Sequence, residues 1–233
     1  MGNKRIQVAT FRGSFDVAIE HGKPNFKHIS DIKVVTKGDL TLYFVEYPRD
    51  ITLMNLLEDG TYEPGEVTYD TIRRCYILEK GAMSGLHYDS LSAASGKKFD
   101  ADSVLTGFNM SEKHFGYNTN PHGKLVFSSY DEKTGKLLVE KFFSDKEDEY
   151  DSTYRFYDYS KIDMKVSLAP ELDKSSGSKV AKVSFIVTPK IKGQVKTNRD
   201  ELSYEIIRRE LTNKEEILQW IEKYNKDKVN LKK

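Results

Sequence analysis

Ser84, His87 and Asp89 bring the side-chain types of a nucleophile, a general base and an orienting acid together within six residues. The chemistry they suggest is acyl transfer, with the serine oxygen attacking a carbonyl. A working triad draws its groups from separate segments, whereas these three crowd into one. Gly81-Ala82-Met83-Ser84-Gly85 also lacks the spacing of a Gly-x-Ser-x-Gly nucleophile elbow. Loop polarity is therefore the simpler expectation. His114, Asn118, Asn120 and His122 follow in the same irregular stretch, 82–123, so the main rival reading is an enzyme, a hydrolase, working through His87, Asp89, His114 or His122. The histidines, His21, His28, His87, His114 and His122, include no His-x-x-x-His pair, so neither a metal nor a cofactor is expected.

Phosphate-loop chemistry fails on spacing. Gly96-Lys97 is followed by Lys98, the residue five before Gly96 is Leu91, and no Gly-x-Gly-x-x-Gly run exists. Cys75 is the single cysteine, which excludes an internal disulfide and a multi-cysteine zinc site. It falls on an apolar stripe and reads as an inert core residue rather than a nucleophile. Asp145, Glu147, Asp148, Glu149 and Asp151 lack the glycine of a helix-loop-helix calcium site and read as a solvated loop.

Two segments carry recognition chemistry. Tyr154-Arg155-Phe156-Tyr157-Asp158-Tyr159 puts aromatics on both faces of one strand. If Tyr154 and Phe156 enter the core, then Arg155, Tyr157 and Tyr159 present a cation beside exposed rings, suited to a peptide, a glycan or a base. Burial of both faces under a second layer is the competing expectation. Residues 179–199 carry Lys179, Lys182, Lys190, Lys192, Lys196 and Arg199 with no acidic residue. If 190–196 continues as a strand, Lys190, Lys192 and Lys196 share a face, which makes either an anion-binding surface or a lysine-protected sheet edge.

The elements that must hold these groups follow from periodicity. Alternation marks strands through residues 6–19, and Lys37-Gly38-Asp39 separates two β-rich runs as a hairpin. Ile51, Leu53, Met54, Leu56 and Leu57 fit a short helix. Ile72, Cys75, Tyr76 and Leu78 fit a second, capped at Thr68 or Asp70 and stopped at Gly81. Residues 101–108 fit a helical turn or a strand. From Lys124 the strand signal is clearest: 125–127 and 137–139 flank an Asp131–Gly135 turn, and 153–159, 162–168 and 180–187 follow as further strands around a polar loop at 169–178. Residues 201–211 fit strand or helix. Thr212 and Glu215 form a capping box for a closing helix with Ile217, Leu218, Trp220, Ile221 and Tyr224 on its apolar face.

The 233 residues carry 37 basic and 36 acidic side chains, so overall charge points to no polyanion or anionic membrane. Aromatics reach 12%, with 14 Tyr and 12 Phe, which compensates for an apolar fraction of only 38% and favours pleated surfaces. No stretch reaches the roughly 20 apolar residues of a membrane-spanning helix.

The expected fold is α+β in one domain, 1–233. It is predominantly antiparallel sheet, as a sandwich or partly open barrel, with a helix-containing amino half, a strand-rich carboxyl half and a carboxyl-terminal amphipathic helix. The leading functional expectation is a non-enzymatic binding or protein-interaction module. It would use a sheet face bearing Arg155, Tyr157 and Tyr159 together with a basic strand bearing Lys190, Lys192 and Lys196. Its partner would be another protein, a peptide or a glycan, with nucleic acid or another polyanion at 179–199 as a further alternative. A soluble, cytoplasmic chain is the default, or a secreted or periplasmic one if Met1-Gly2 replaces a removed leader.

Overall fold

Long β-rich runs separated by glycine turns need a ladder on each side, and they find it in one antiparallel sheet. The computed structural model describes residues 5–17, 26–58, 60–107, 123–144, 151–187, 190–191, 194–195 and 200–229. The amino half is a meander: β1 (Ile6–Val17), β2 (Phe26–Lys37), β3 (Leu40–Leu56), β4 (Tyr62–Glu79), β5 (Ser84–Tyr88) and β6 (Lys97–Asp100), followed by α1 (Ala101–Gly107). The carboxyl half is a second meander: β7 (Lys124–Tyr130), β8 (Leu137–Phe143), β9 (Ser152–Asp158), α2 (Pro170–Ser176), β10 (Lys179–Val187), β11 (Lys190–Ile191), β12 (Gln194–Val195), β13 (Asp200–Arg209) and α3 (Lys214–Asp227). Among the described residues eleven strands form one sheet that does not close, in the order β6-β5-β4-β3-β2-β1-β13-β10-β9-β8-β7; β11 and β12 pair separately. The two meanders are joined by β1 and β13, with Val8 opposite Arg209 and Phe15 opposite Leu202.

Side chains alternate across a strand, so the pairing register sorts the sheet into two faces. One face buries Phe11, Val34, Tyr76, Phe185, Tyr204 and Ile206 under Met164, Leu168 and Ala169 from the β9–β10 connection. The other buries Val8, Val35, Leu42, Cys75, Ile77 and Tyr88 under Ile217, Trp220, Ile221 and Tyr224 of α3. Trp220 packs edge-on to Phe44 at 6.2 Å and tilted against Tyr88 at 5.6 Å. No described residue of β7, β8 or β9 belongs to the α3 cluster, so that helix covers only the amino-terminal side of its face.

Several expectations are corrected. Both helices read within 51–81 are strand, β3 and β4, paired from Leu40–Glu79 to Leu56–Tyr62. The register shift at Thr52–Met54 puts its extra residue into β4, between Pro64 and Val67, while β3 keeps a step of two. In β3, Ile51, Leu53, Met54 and Leu56 fall on both parities of the strand, and that density of apolar residues imitates helical spacing. In β4, Cys75 and Ile77 are buried beneath α3 while Tyr76 is buried on the opposite face, so burial on both faces erases the period of two. Residues 162–168 are not a strand. Their backbone is held by turns and side chains, Met164 N–H donating to Lys161 O at 2.9 Å and Lys165 N–H to the Gln7 side chain at 3.2 Å. The polar loop at 169–178 contains α2, opened by Pro170 and closed by Gly177 at φ 63°. The irregular 82–123 holds β5, β6 and α1, and 201–211 is mostly strand. The cap of α3 is Asn213, not Thr212: its side chain accepts from Glu216 N–H at 3.2 Å and donates to the Glu216 carboxylate at 2.9 Å.

Candidate functional site: an apolar sheet edge

The two ends of the sheet are built differently. β6 is four residues long and exposes Lys97 and Lys98, which blunts it against further pairing. β7 is seven residues long, and nothing among the described residues pairs with its outer side. It exposes Leu125, Val126, Phe127 (54%) and Tyr130 (57%), and the neighbouring β8 exposes Leu138 and Phe143.

Local chemistry fixes this hairpin. Asp131 accepts at one carboxylate oxygen from Thr134 N–H and Oγ1, both 2.7 Å, and from Lys133 N–H at 3.2 Å. Gly135 completes the turn at φ 66°, a conformation that costs other residues steric strain. At the far end Gly123 lies so close to the Phe143 carbonyl that a Cβ there would overlap it.

Register then places the rings. Phe127 lies opposite Lys141, Lys141 opposite Tyr154, and Val139 opposite Phe156, so these groups share the face that α3 leaves uncovered. Tyr154 and Phe156 stack, with centroids 6.3 Å apart and planes 18° apart. Lys141 sits 5.3 Å from the Tyr154 ring and Lys182 5.6 Å from the Phe156 ring. Leu125 lies opposite Phe142 on the reverse face. The edge is therefore apolar on both sides of its backbone.

The sequence placed the aromatic strand correctly and chose the wrong face. Tyr154 and Phe156 are the half-buried pair, whereas Arg155 and Tyr157 are each only 7% exposed, Tyr157 within the core under the β9–β10 connection. Arg155 lies over the Phe142 ring at 4.5 Å and 3.6 Å from Glu140. Burial and the Glu140 hydrogen bond raise the Tyr157 phenol above its ordinary value. Tyr159 leaves the strand in a 3-10 turn with the Lys136 ammonium 4.5 Å from its ring.

The basic segment is also redistributed. Lys190 opens β11, which pairs back on β12 with Lys190 opposite Val195, so no single strand runs through 190–196. Lys192 and Lys196 lie outside the described residues. Lys179 is buried in an ion pair with Asp173 at 2.7 Å, and Lys182 pairs with Glu201 at 3.3 Å. β10 is an interior strand between β9 and β13, not an edge.

Ser84 and His87 lie three residues apart on β5 and so face opposite ways. Asp89 is held by Arg74 at 3.0 Å and Lys97 at 3.2 Å, which lowers its carboxyl below the ordinary value. His87 packs against Tyr76, and burial followed by the Arg74 charge lowers its imidazole. Cys75 is buried, which pushes its thiol well up and away from nucleophilic use. His114, Asn118, Asn120, His122 and most of the 145–151 acidic run fall outside the described residues. Among the described residues no group of three or more His, Cys, Asp or Glu is placed to hold a metal, and no helix is long and apolar enough to cross a membrane.

No protein-family model, no curated protein and no solved structure matches this chain.

Proposed function

We propose that this protein is a protein-interaction module that takes an extended segment of a partner protein along β7 as an added strand. The observation carrying this reading is the contrast between the two sheet ends: β6 is short and lysine-bearing, while β7 is longer and apolar on both faces. Added strands gain affinity from main-chain hydrogen bonds and specificity from alternate side chains. Here the partner's side chains would alternate between Leu125 and Leu138 on one face and Phe127, Tyr130 and Phe143 on the other. The preferred segment is therefore apolar on both faces and free of proline. Polyanion binding has less support from the described cations, since Lys179 and Lys182 already face carboxylates.

The test uses a peptide apolar on both faces, alternating valine and phenylalanine with a lysine at each end for solubility, followed by backbone amide shifts of the protein. Binding should perturb β7 and β8, should vanish for the same peptide with a central proline, and should weaken about tenfold or more in Phe127→Lys/Tyr130→Lys. Equal binding by the proline peptide, or shifts centred elsewhere, defeats the proposal. A concentration-dependent dimer through β7 that excludes the peptide would replace the foreign partner with a second copy.

A further inference from the structure

A groove of about 860 Å³ opens where β1, the end of β13 and the start of α3 meet. That volume lies within the range of small-molecule sites, about 300–1,000 Å³. Ile6, Val8, Met164 and Leu218 contribute apolar surface. Arg5, Lys37, Arg208, Arg209 and Lys214 surround them, and Glu210 is the one carboxylate among the lining side chains.

The cations differ in what holds them. Arg208 is committed to Asp163, which its guanidinium keeps below the ordinary carboxylate value, and to Ser160 O at 2.9 Å. Arg209 donates through Nε to Thr10 Oγ1 at 3.1 Å, and its charge also helps to lower the Asp31 carboxyl, which is itself paired with Arg12. Arg5 lies within electrostatic reach of Asp163, whose carboxyl it helps to lower, while Lys37 and Lys214 make no hydrogen bond or ion pair among the described residues. The amino end of α3 does not supply the attraction, because the Asn213 side chain already takes the Glu216 N–H. Like charges gathered around an apolar hollow repel one another, and an anion placed among them removes that repulsion. A bare inorganic anion would satisfy the cations and leave the apolar surface wet. An apolar molecule would do the reverse.

We propose that this groove binds a small amphiphilic anion, an apolar chain ending in a phosphate or carboxylate, with the chain over Ile6, Val8 and Leu218 and the head group among Arg5, Lys37, Arg209 and Lys214. The site is independent of the β7 edge, and none of its residues lies on β7, β8 or β9.

Calorimetry at low salt tests it with four probes, each below its micellar concentration: decyl phosphate, decanoate, decanol and inorganic phosphate. Decyl phosphate or decanoate should bind about tenfold or more tighter than decanol and inorganic phosphate, and comparing the two identifies the preferred head group. Lys37→Gln/Lys214→Gln should weaken the better amphiphile by about tenfold with an unchanged melting temperature, and Lys37→Arg/Lys214→Arg should restore it. Leu218→Asn should weaken the amphiphile and leave the inorganic phosphate response as it was. Inorganic phosphate binding as tightly as the amphiphiles, or the Gln variant binding like the parent chain, overturns the proposal.

Discussion

Tyr157 donates to the Glu140 carboxylate across the β8–β9 ladder at 2.5 Å, on the face covered by the β9–β10 connection. Arg155 stands 3.6 Å from the same carboxylate, and its Nη2 has no partner among the described residues. One carboxylate thus serves two groups that are almost wholly buried. A charge left alone in such a place is costly, because burial removes its water without replacing it.

Glu140→Gln should therefore destabilise the fold by about 2–4 kcal/mol, since it leaves the Arg155 charge uncompensated. Glu140→Leu/Arg155→Met should recover most of that loss, because replacing both partners with apolar groups avoids an orphaned charge. Urea unfolding of the three chains measures this. A double variant as unstable as Glu140→Gln would mean that the charge pair itself, not its imbalance, holds β8 to β9.

Stability should also fall as the solution turns alkaline. Burial raises the phenols of Tyr88, Tyr157 and Tyr224 above the ordinary value of 10.0 for Tyr88 and its two counterparts. Each is neutral when folded, so its contribution is complete below the unfolded phenol's pKa and is lost as pH rises through the folded value. Absorbance at 295 nm should show these three tyrosines ionising later than the exposed ones, with a declining melting temperature from about pH 10 upward. If every tyrosine titrates together near 10 while the chain stays folded, the burial assigned to these three is wrong.

Trp220 anchors α3 between Phe44 and Tyr88, so Trp220→Ala should cost about 3–5 kcal/mol. Asn213→Ala removes only the cap and should cost about 1 kcal/mol. Thermal unfolding followed by near-ultraviolet dichroism separates the two. A similar loss in both variants would mean that the helix is held by its end rather than by its buried face.

The sequence was legible wherever one face is wet. α3 shows its apolar stripe because its opposite face is polar. The β7–β8 hairpin is legible because glycine and aspartate mark its turn, although both strands run on three or four residues beyond the apolar triplets 125–127 and 137–139, to Tyr130 and Phe143. β4 was misread because Cys75, Tyr76 and Ile77 are buried on alternate faces, leaving no polar phase to count. β3 is hidden in a different way, because Ile51, Leu53, Met54 and Leu56 are apolar at both parities of the strand and leave no alternation to count. For the site, the strand carrying Tyr154 to Tyr157 was evident, but composition is nearly symmetric across its two faces. Which rings are covered depends on Met164 and Leu168, which arrive from a segment that itself alternates like a strand. The groove drew no sequence signal at all, since Arg5, Lys37, Arg209 and Lys214 come from distant positions and meet only because β1 pairs with β2 on one side and with β13 on the other, with α3 following β13.

The apolar edge should be separable from folding. Phe127 and Tyr130 are more than half exposed, so Phe127→Lys/Tyr130→Lys removes little burial and should leave unfolding free energy within about 0.5 kcal/mol per site. The same change places two cations on an edge strand, a device that opposes strand addition. Fluorescence of a hydrophobic dye such as anilinonaphthalene sulfonate should drop in the variant, because the exposed patch is where it would bind. If instead the variant unfolds readily, those rings are packed against the molecule's own chain, and β7 is not an open edge available to a partner.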